Sequence, residues 1–508
     1  MEGHRALTRR GLILGAPALI GLRAKAERRI SGAFVNESFA LGHRLRDGAA
    51  FPKPARQARV PVVIVGGGMA GLCAAWRLDK RDFPDFVLLE MEPSAGGNAR
   101  WGENDITRYP WAAHYVPVPS RAEDLARELF EEFGAFEDGR WKERYLCFAP
   151  QERLFIHARW QDGIEPELGA TARERAQFQR FDVIMREQRA TGGFTIPMER
   201  GARDSDLDRI SMADWMRQQQ FDSPYLGWYI DYCCRDDYGA LARDTSAWAG
   251  IHYFASREPE EKGPLTWPEG NGWITRHLTA KLGSYIRTGS PVYRIERAGS
   301  RYRVLTPDTE YLAEHLIWAA PTFIAHYVVE GAPPADGFVY SPWLTANLTL
   351  DRIPDQRGAE QAWDNVIYGS PTLGYVDATH MSIATAPQDR TVWTFYWSLA
   401  EYAPADGRRA LLAHDWRWWS NAILSDLERA HPDIRDCVSR IDIMRLGHAM
   451  IRPAVGFIAS ENRTRWLTPR ERLYYANSDL SGLSLFEEAQ SRGVTAAERV
   501  LRSMGGSS

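Results

Sequence analysis

The sequence predicts an α/β fold whose central unit is a Rossmann-like domain. Two observations carry the prediction. The first is the run Val60–Arg100, in which an apolar strand, a glycine-rich turn, a helix and a second strand follow one another. The second is the return of the same strand-and-helix alternation after residue 270, beyond a long middle section of different character. Buried parallel strands read as continuous β-branched or aliphatic runs, and both stretches have that texture.

Val62–Val65 is the first strand, and Gly66, Gly68 and Gly71 follow at G-x-G-x-x-G spacing. Met69–Leu78 reads as a helix and Val87–Leu89 as a second strand, closed by Glu90, 19 residues after Gly71. The first glycine permits a tight turn, the second lets backbone approach a diphosphate, and the third lets helix and strand pack closely. The diphosphate would sit at the helix N-terminus, over Met69 and Ala70. Glu90 stands where a carboxylate accepts bonds from a ribose of the adenosine half. A glycine-rich turn alone would be weak, but the ordered run predicts a dinucleotide site.

The chain has 508 residues, enough for two or three domains. Hydrophobic content of 44% and charged content of 25% are those of a soluble globular protein. A net charge of −4 offers no general basic surface, so nucleic acid is not expected as a partner. The five cysteines have neither metal spacing nor the pattern of a disulfide framework.

At the N-terminus, Thr8-Arg9-Arg10-Gly11-Leu12-Ile13 resembles the bacterial twin-arginine export motif. Gly11–Leu22 is a 12-residue apolar run, too short for a bilayer that needs about 20 residues. Ala24-Lys25-Ala26 offers small residues for cleavage. Residues 1–26 are therefore expected to be a signal peptide read by the twin-arginine machinery, which exports folded, cofactor-loaded proteins. Removing this segment of net +4 leaves a mature, periplasmic chain at −8, and an uncleaved segment would hold it at the membrane.

Residues 27–58 read as an arm or linker, with Leu41–Arg46 dense in polar groups. Ser120 with Glu123, Thr171 with Glu174 and Ser211 with Asp214 are capping pairs that start helices. Trp215–Arg235 looks helical and aromatic, and the middle section as a whole reads as a mostly helical cap. Gly270-Asn271-Gly272-Trp273 opens a helix that runs to Leu282. Ser290–Arg297, Arg301–Thr306, Glu310–Leu312 and Leu316–Pro321 are strands. Leu344–Leu350 and Thr391–Tyr396 are strands followed by a helix over Arg408–Ala430. Arg472–Ala476 is a last strand, and Glu487–Arg502 a last helix.

Four separated pieces give the chain a further likeness. They are the opening fingerprint with Glu90; Gly96-Gly97-Asn98; Ser290–Ile295 with Leu316–Pro321; and Leu473–Asp479 with Glu487–Gly493. In this it resembles the flavin-containing amine oxidase and phytoene desaturase superfamily. The resemblance implies FAD, held by Gly66, Gly68, Met69, Ala70, Gly71, Glu90, Gly97, Asn98, Val292, Asp479 and Glu488. It implies a discontinuous Rossmann-like FAD-binding domain over 59–120, 270–330 and 462–503. The α+β substrate domain would be 121–269 and 331–461.

The chain also departs from that family. No lysine follows Lys281, whereas amine oxidases place one near the flavin after the strand matched by Leu316–Pro321. The two aromatic walls of the family fall near Ala449 and Leu485, neither of them aromatic. Candidates to meet a substrate are His114 and Tyr115, which lie where the family's chain crosses the flavin face, with His448 and Arg452; His380 is another histidine of this kind. Histidine moves protons near neutrality, and arginine holds a carboxylate bidentately.

Three functions remain open on the sequence. The first is an exported FAD oxidoreductase that takes hydride from an amine-like or amino-acid-like small molecule. Its electrons would pass to oxygen or to a respiratory carrier. The second is a desaturase or isomerase of an apolar substrate, and the third a flavin-binding protein without turnover.

Overall fold

The computed structural model describes residues 29–35, 38–120, 123–201, 205–257, 263–383 and 388–505. The expected signal peptide lies outside the described residues. A seven-stranded sheet is the nucleotide-side scaffold. Its order is Ile286–Arg287, Phe86–Leu89, Arg56–Val65, Thr309–Trp318, Arg301–Leu305 and Arg294–Ala298, with Leu473–Tyr475 also paired to Thr309–Trp318. The central strands run parallel, Val62–Val65 against Phe86–Leu89 on one side and His315–Trp318 on the other. Val62, Val63 and Ile64 are wholly buried, which explains their unbroken apolar character.

Helices Met69–Lys80, Gly272–Leu282 and Phe486–Gly505 cover this sheet. The first and last touch backbone to backbone at Gly493, where a Cβ would lie 2.0 Å from the Ala70 carbonyl oxygen. Only glycine fits there. Glu310–Leu312 and Leu316–Trp318 are two parts of one strand, Thr309–Trp318. His315, polar in sequence, is buried within it and stacks on Tyr474, so it interrupts the pattern without interrupting the strand.

The second sheet has eight strands in the order Ser31–Phe34, Val438–Arg452, Val339–Leu350, Thr391–Trp397, Gly374–Asp377, Asp364–Ile367, Glu152–Ile156 and Arg159–Asp162. Three of these strands, in the arm and the middle section, lie where the sequence reading placed none. The arm is built into the fold: Ser31–Phe34 pairs in parallel with Arg440–Ile443, and Phe39–Arg46 is a helix. The middle section is largely helical, but Glu152–Ile156 and Arg159–Asp162 add a hairpin at the sheet edge that the sequence reading lacked. Arg153 breaks the apolar alternation there, yet it is fully buried, bonded to Asn365, Ala359 and Tyr375 and packed on Trp160.

Helix boundaries follow local chemistry. Thr171 and Glu174 form a reciprocal capping box for Ala172–Ala190, as Ser211 and Asp214 do for Met212–Gln218. The helix near Ser120 begins at Asp124. Glu123 still accepts the Ser120 N–H at 2.8 Å, but Ser120 does not cap the helix with its side chain. The long aromatic helix is two, because Ser223 and Pro224 start a new one that runs to Tyr238. Arg408–Ala430 is likewise divided, with Asp415 capping Trp416–Leu427.

Candidate active site

A cavity of about 1080 Å³ runs between the two sheets. Single small-ligand pockets occupy about 300–1,000 Å³, so this one has room for a dinucleotide and a small molecule together. One end is the glycine turn. Gly66 has φ +105 and no space for a side chain, since a Cβ would lie 2.6 Å from the Ala320 nitrogen. At Gly68 a Cβ would have nothing within 4 Å. It would project into the cavity, the space a diphosphate needs. Met69 and Ala70 line the same space, and the helix they open has no side-chain cap, so its first N–H groups are available to an anion. Gly71 does not line the cavity; its Cβ would stand 1.9 Å from the Gly66 carbonyl oxygen, so it serves helix–strand packing.

Glu90 is buried at the cavity wall. Each carboxylate oxygen accepts one backbone N–H, Oε2 from Gly67 at 2.6 Å and Oε1 from Glu92 at 2.7 Å. These bonds aim the group and leave lone pairs for ribose hydroxyls. Val292, Gly96, Gly97 and Asn98 line the cavity as well. Asn98 donates to the Ala449 carbonyl oxygen at 2.7 Å, tying the glycine turn to the second sheet. Asp479 lines it too, its Oδ2 accepting from the Thr322 N–H at 2.8 Å and the Tyr340 hydroxyl at 2.7 Å. Glu488 does not reach the cavity. It is buried in the first turn of the last helix, accepting from the Met198 N–H and the Ser481 hydroxyl.

The other end is an aromatic and acidic chamber. His114, Tyr115, Tyr232, Trp343 and Tyr396 form its rings, and Asp236, Asp237 and Asp364 its carboxyl groups. The Tyr115 hydroxyl donates to Asp236 Oδ2 at 3.2 Å and lies 3.5 Å from Asp237 Oδ1. Arg257 pairs with Asp237 at 2.9 Å. The Tyr232 hydroxyl donates to Asp364 at 3.2 Å. Burial, reinforced by the Asp237 charge, raises Asp236 to about 7. Burial, together with Glu152 and Asp236, raises Asp364 well above the ordinary carboxylate range. Glu487 reaches the same cavity from the first turn of the last helix. It is 3% exposed, and neither carboxylate oxygen has a hydrogen-bond partner. Burial and then Glu123 push it up as well.

The histidines do not carry the charge change expected of them. Burial lowers His114 to about 4, and His448 to about 4 with help from Arg408, so both are neutral at pH 7. His114 packs against Tyr396 and Trp363 as a wall of the chamber, while His448 stacks on Phe323. Of the carboxyl groups raised to about 7, Asp236 is the one that lines the cavity. Arg452 is not in the cavity; it is buried and donates to Ser341 Oγ at 2.6 Å. His380 is tied to the Phe148 carbonyl oxygen instead of the site. The missing family lysine has no substitute of its kind, because Phe323, His326 and Tyr327 face the cavity after the matched strand and Lys281 is paired with Asp79 and Glu132. Ala449 and Leu485 do line the cavity at the wall positions.

The acidic chamber was missed in the sequence. Its one local signal was the pair Asp236-Asp237 near the end of a strongly aromatic helix, a placement that costs free energy unless the carboxylates have partners or a use.

A family model described as an NAD(P)-binding Rossmann-like domain matches residues 64–133. Among solved structures, wild-type putrescine oxidase bound to putrescine superposes with a TM-score of 0.67 at 17% identity, covering 88% of this chain and 100% of that one. Cyclohexylamine oxidase from Brevibacterium oxydans gives 0.65 at 14% identity, over 88% of this chain and 99% of that one. A CLA-producing fatty acid isomerase from P. acnes gives 0.62 at 16% identity, over 87% and 98%. A search of curated proteins finds no match. The chain is thus an α/β protein with a Rossmann-like dinucleotide domain. Over 87–88% of its length, its fold is similar to that of these oxidases and this isomerase.

Proposed function

We propose that the chain is an FAD-dependent oxidoreductase of the flavin-containing amine oxidase and phytoene desaturase superfamily, acting on a small amine-like molecule. The observation that carries this reading is one cavity joining the glycine cleft to a chamber rich in carboxyl groups. FAD, when bound, would supply the two-electron acceptor. Gly68, Glu90, Gly97, Val292 and Asp479 would hold it.

The chain's own residues would do the rest. Asp236, Asp237 and Asp364 suit a ligand that brings positive charge, which offsets the cost of burying them. A carboxylate near neutrality can take the proton an ammonium must lose before its carbon yields hydride. Tyr115 orients Asp236, and Tyr232 and Tyr396 line the chamber. The non-aromatic Ala449 and Leu485 leave the desaturase or isomerase reading as the second one.

The experiment is an anaerobic screen of amines, amino acids and apolar alkenes against the flavin-loaded protein, read by loss of flavin absorbance. Bleaching by a cationic amine and not by its uncharged carbon analogue is expected. Bleaching by apolar compounds alone selects the second reading, and flavin bound but never reduced leaves a non-catalytic binder.

Export through the twin-arginine route to the periplasm is part of this proposal. Changing Arg9 and Arg10 together to lysine is expected to retain the precursor in the cytoplasm. Unchanged periplasmic yield in a fractionation blot would reject it.

A further inference from the structure

We propose that the rim of the cavity opposite the acidic chamber is a docking surface for an anionic lipid bilayer. This goes beyond the redox reading and does not depend on it. Three of the large apolar side chains left exposed on the molecule, Phe39 at 41%, Tyr327 at 44% and Leu412 at 50%, all line this one cavity. They come from three separate elements, the arm helix Phe39–Arg46, the helix Thr322–Val328 and the helix Pro404–Ala413.

The three form one patch. The Arg445 guanidinium lies 5.5 Å from the Phe39 ring and donates to the Leu411 carbonyl oxygen at 2.9 Å. The arm helix packs on Thr322–Val328, which brings Tyr327 within electrostatic reach of Arg46. Exposed apolar tips grouped around an opening mark an interaction site, whereas scattered ones do not.

Charge selects the partner. Arg46, Arg408, Arg409 and Arg445 line the rim, with Asp47 and Asp406 as their close acidic neighbours. The face is basic on a chain whose net charge is −4. Apolar tips among arginines match an interface where acyl chains meet anionic headgroups. Inside the rim the wall continues with Phe323, Ile324 and Leu411, so an amphiphile could pass between bilayer and cavity without crossing water. No helix among the described residues is long and apolar enough to span a membrane, so the contact is peripheral.

The test uses the full chain with vesicles of phosphatidylcholine alone or mixed with phosphatidylglycerol. All five native cysteines are buried, so Leu412→Cys offers a single accessible thiol for an environment-sensitive dye. The dye is expected to shift to the blue with phosphatidylglycerol vesicles and not with phosphatidylcholine. In flotation, Arg46→Glu with Arg409→Glu is expected to weaken binding at least about tenfold. Both side chains are solvent-exposed, so the fold survives the change. Phe39→Ser with Leu412→Ser is expected to weaken binding comparably. No dye shift, or flotation that ignores both double variants, overturns the proposal. So does a dimer in sedimentation that Leu412→Ser abolishes, which would assign the patch to a second copy.

Discussion

Gly68→Val is expected to give a folded chain that holds no flavin. The glycine has an extended backbone that any residue can adopt, with φ −74 and ψ −175, so valine brings no backbone strain. Nothing in the protein stands within 4 Å of its Cβ position. The side chain would fill only the space over the N-terminus of Met69–Lys80, where a diphosphate must come within hydrogen-bond distance of backbone. Affinity should fall at least about a hundredfold, as for loss of several charge-assisted bonds. The measurement is flavin released on denaturation after reconstitution with FAD, beside a melting curve of the apoprotein. The companion variant Gly71→Val should behave oppositely and damage folding, since its Cβ meets the Gly66 carbonyl oxygen at 1.9 Å. Wild-type flavin content in Gly68→Val would mean that the nucleotide lies elsewhere.

Asp236→Asn should alter both chemistry and stability. The amide can still accept the Tyr115 hydroxyl, so the chamber keeps its shape. It cannot take a proton. Flavin reduction by whichever amine reduces the parent protein should slow by about 10²-fold or more at pH 7. The inflection near pH 7 in its pH profile should disappear. The stability effect needs no substrate. Burial, with Asp237, raises the folded-state pKa of Asp236 from 3.8 to about 7. As pH rises through that window the unfolded chain loses the proton while the folded chain keeps it, so stability falls progressively from about pH 4 to about pH 7. The asparagine variant should therefore match the parent melting temperature at pH 4 and exceed it by a few degrees at pH 8. An equal change at both pH values would show that Asp236 is already ionised in the folded protein.

The nucleotide end was legible because its physics is local. A tight turn, a close backbone approach and a helix N-terminus each demand a residue type at a fixed offset. Gly66, Gly68, Gly71 and Glu90 sit within one strand–helix–strand unit. The two capping boxes at Thr171 and Ser211 were legible for the same reason. Errors arose where tertiary packing overrode the local pattern. Buried Arg153 hid a strand and buried His315 split one, because the first is bonded to, and the second stacked on, residues far along the chain. Glu488 and Arg452 were singled out by motif position, yet their side chains turn to internal partners.

The sequence by itself determined the α/β class, the dinucleotide turn and the residues that shape it, since those constraints act within about thirty residues. Only the tertiary structure decided what faces that turn. It brought Tyr115, Asp236 and Asp364 together from a strand, a helix and another sheet strand. It also carried the arm helix to the rim of the cavity, where the sequence showed only a polar linker. No spacing rule links such positions, because contacts between distant segments are set by how two sheets pack and not by the period of either one.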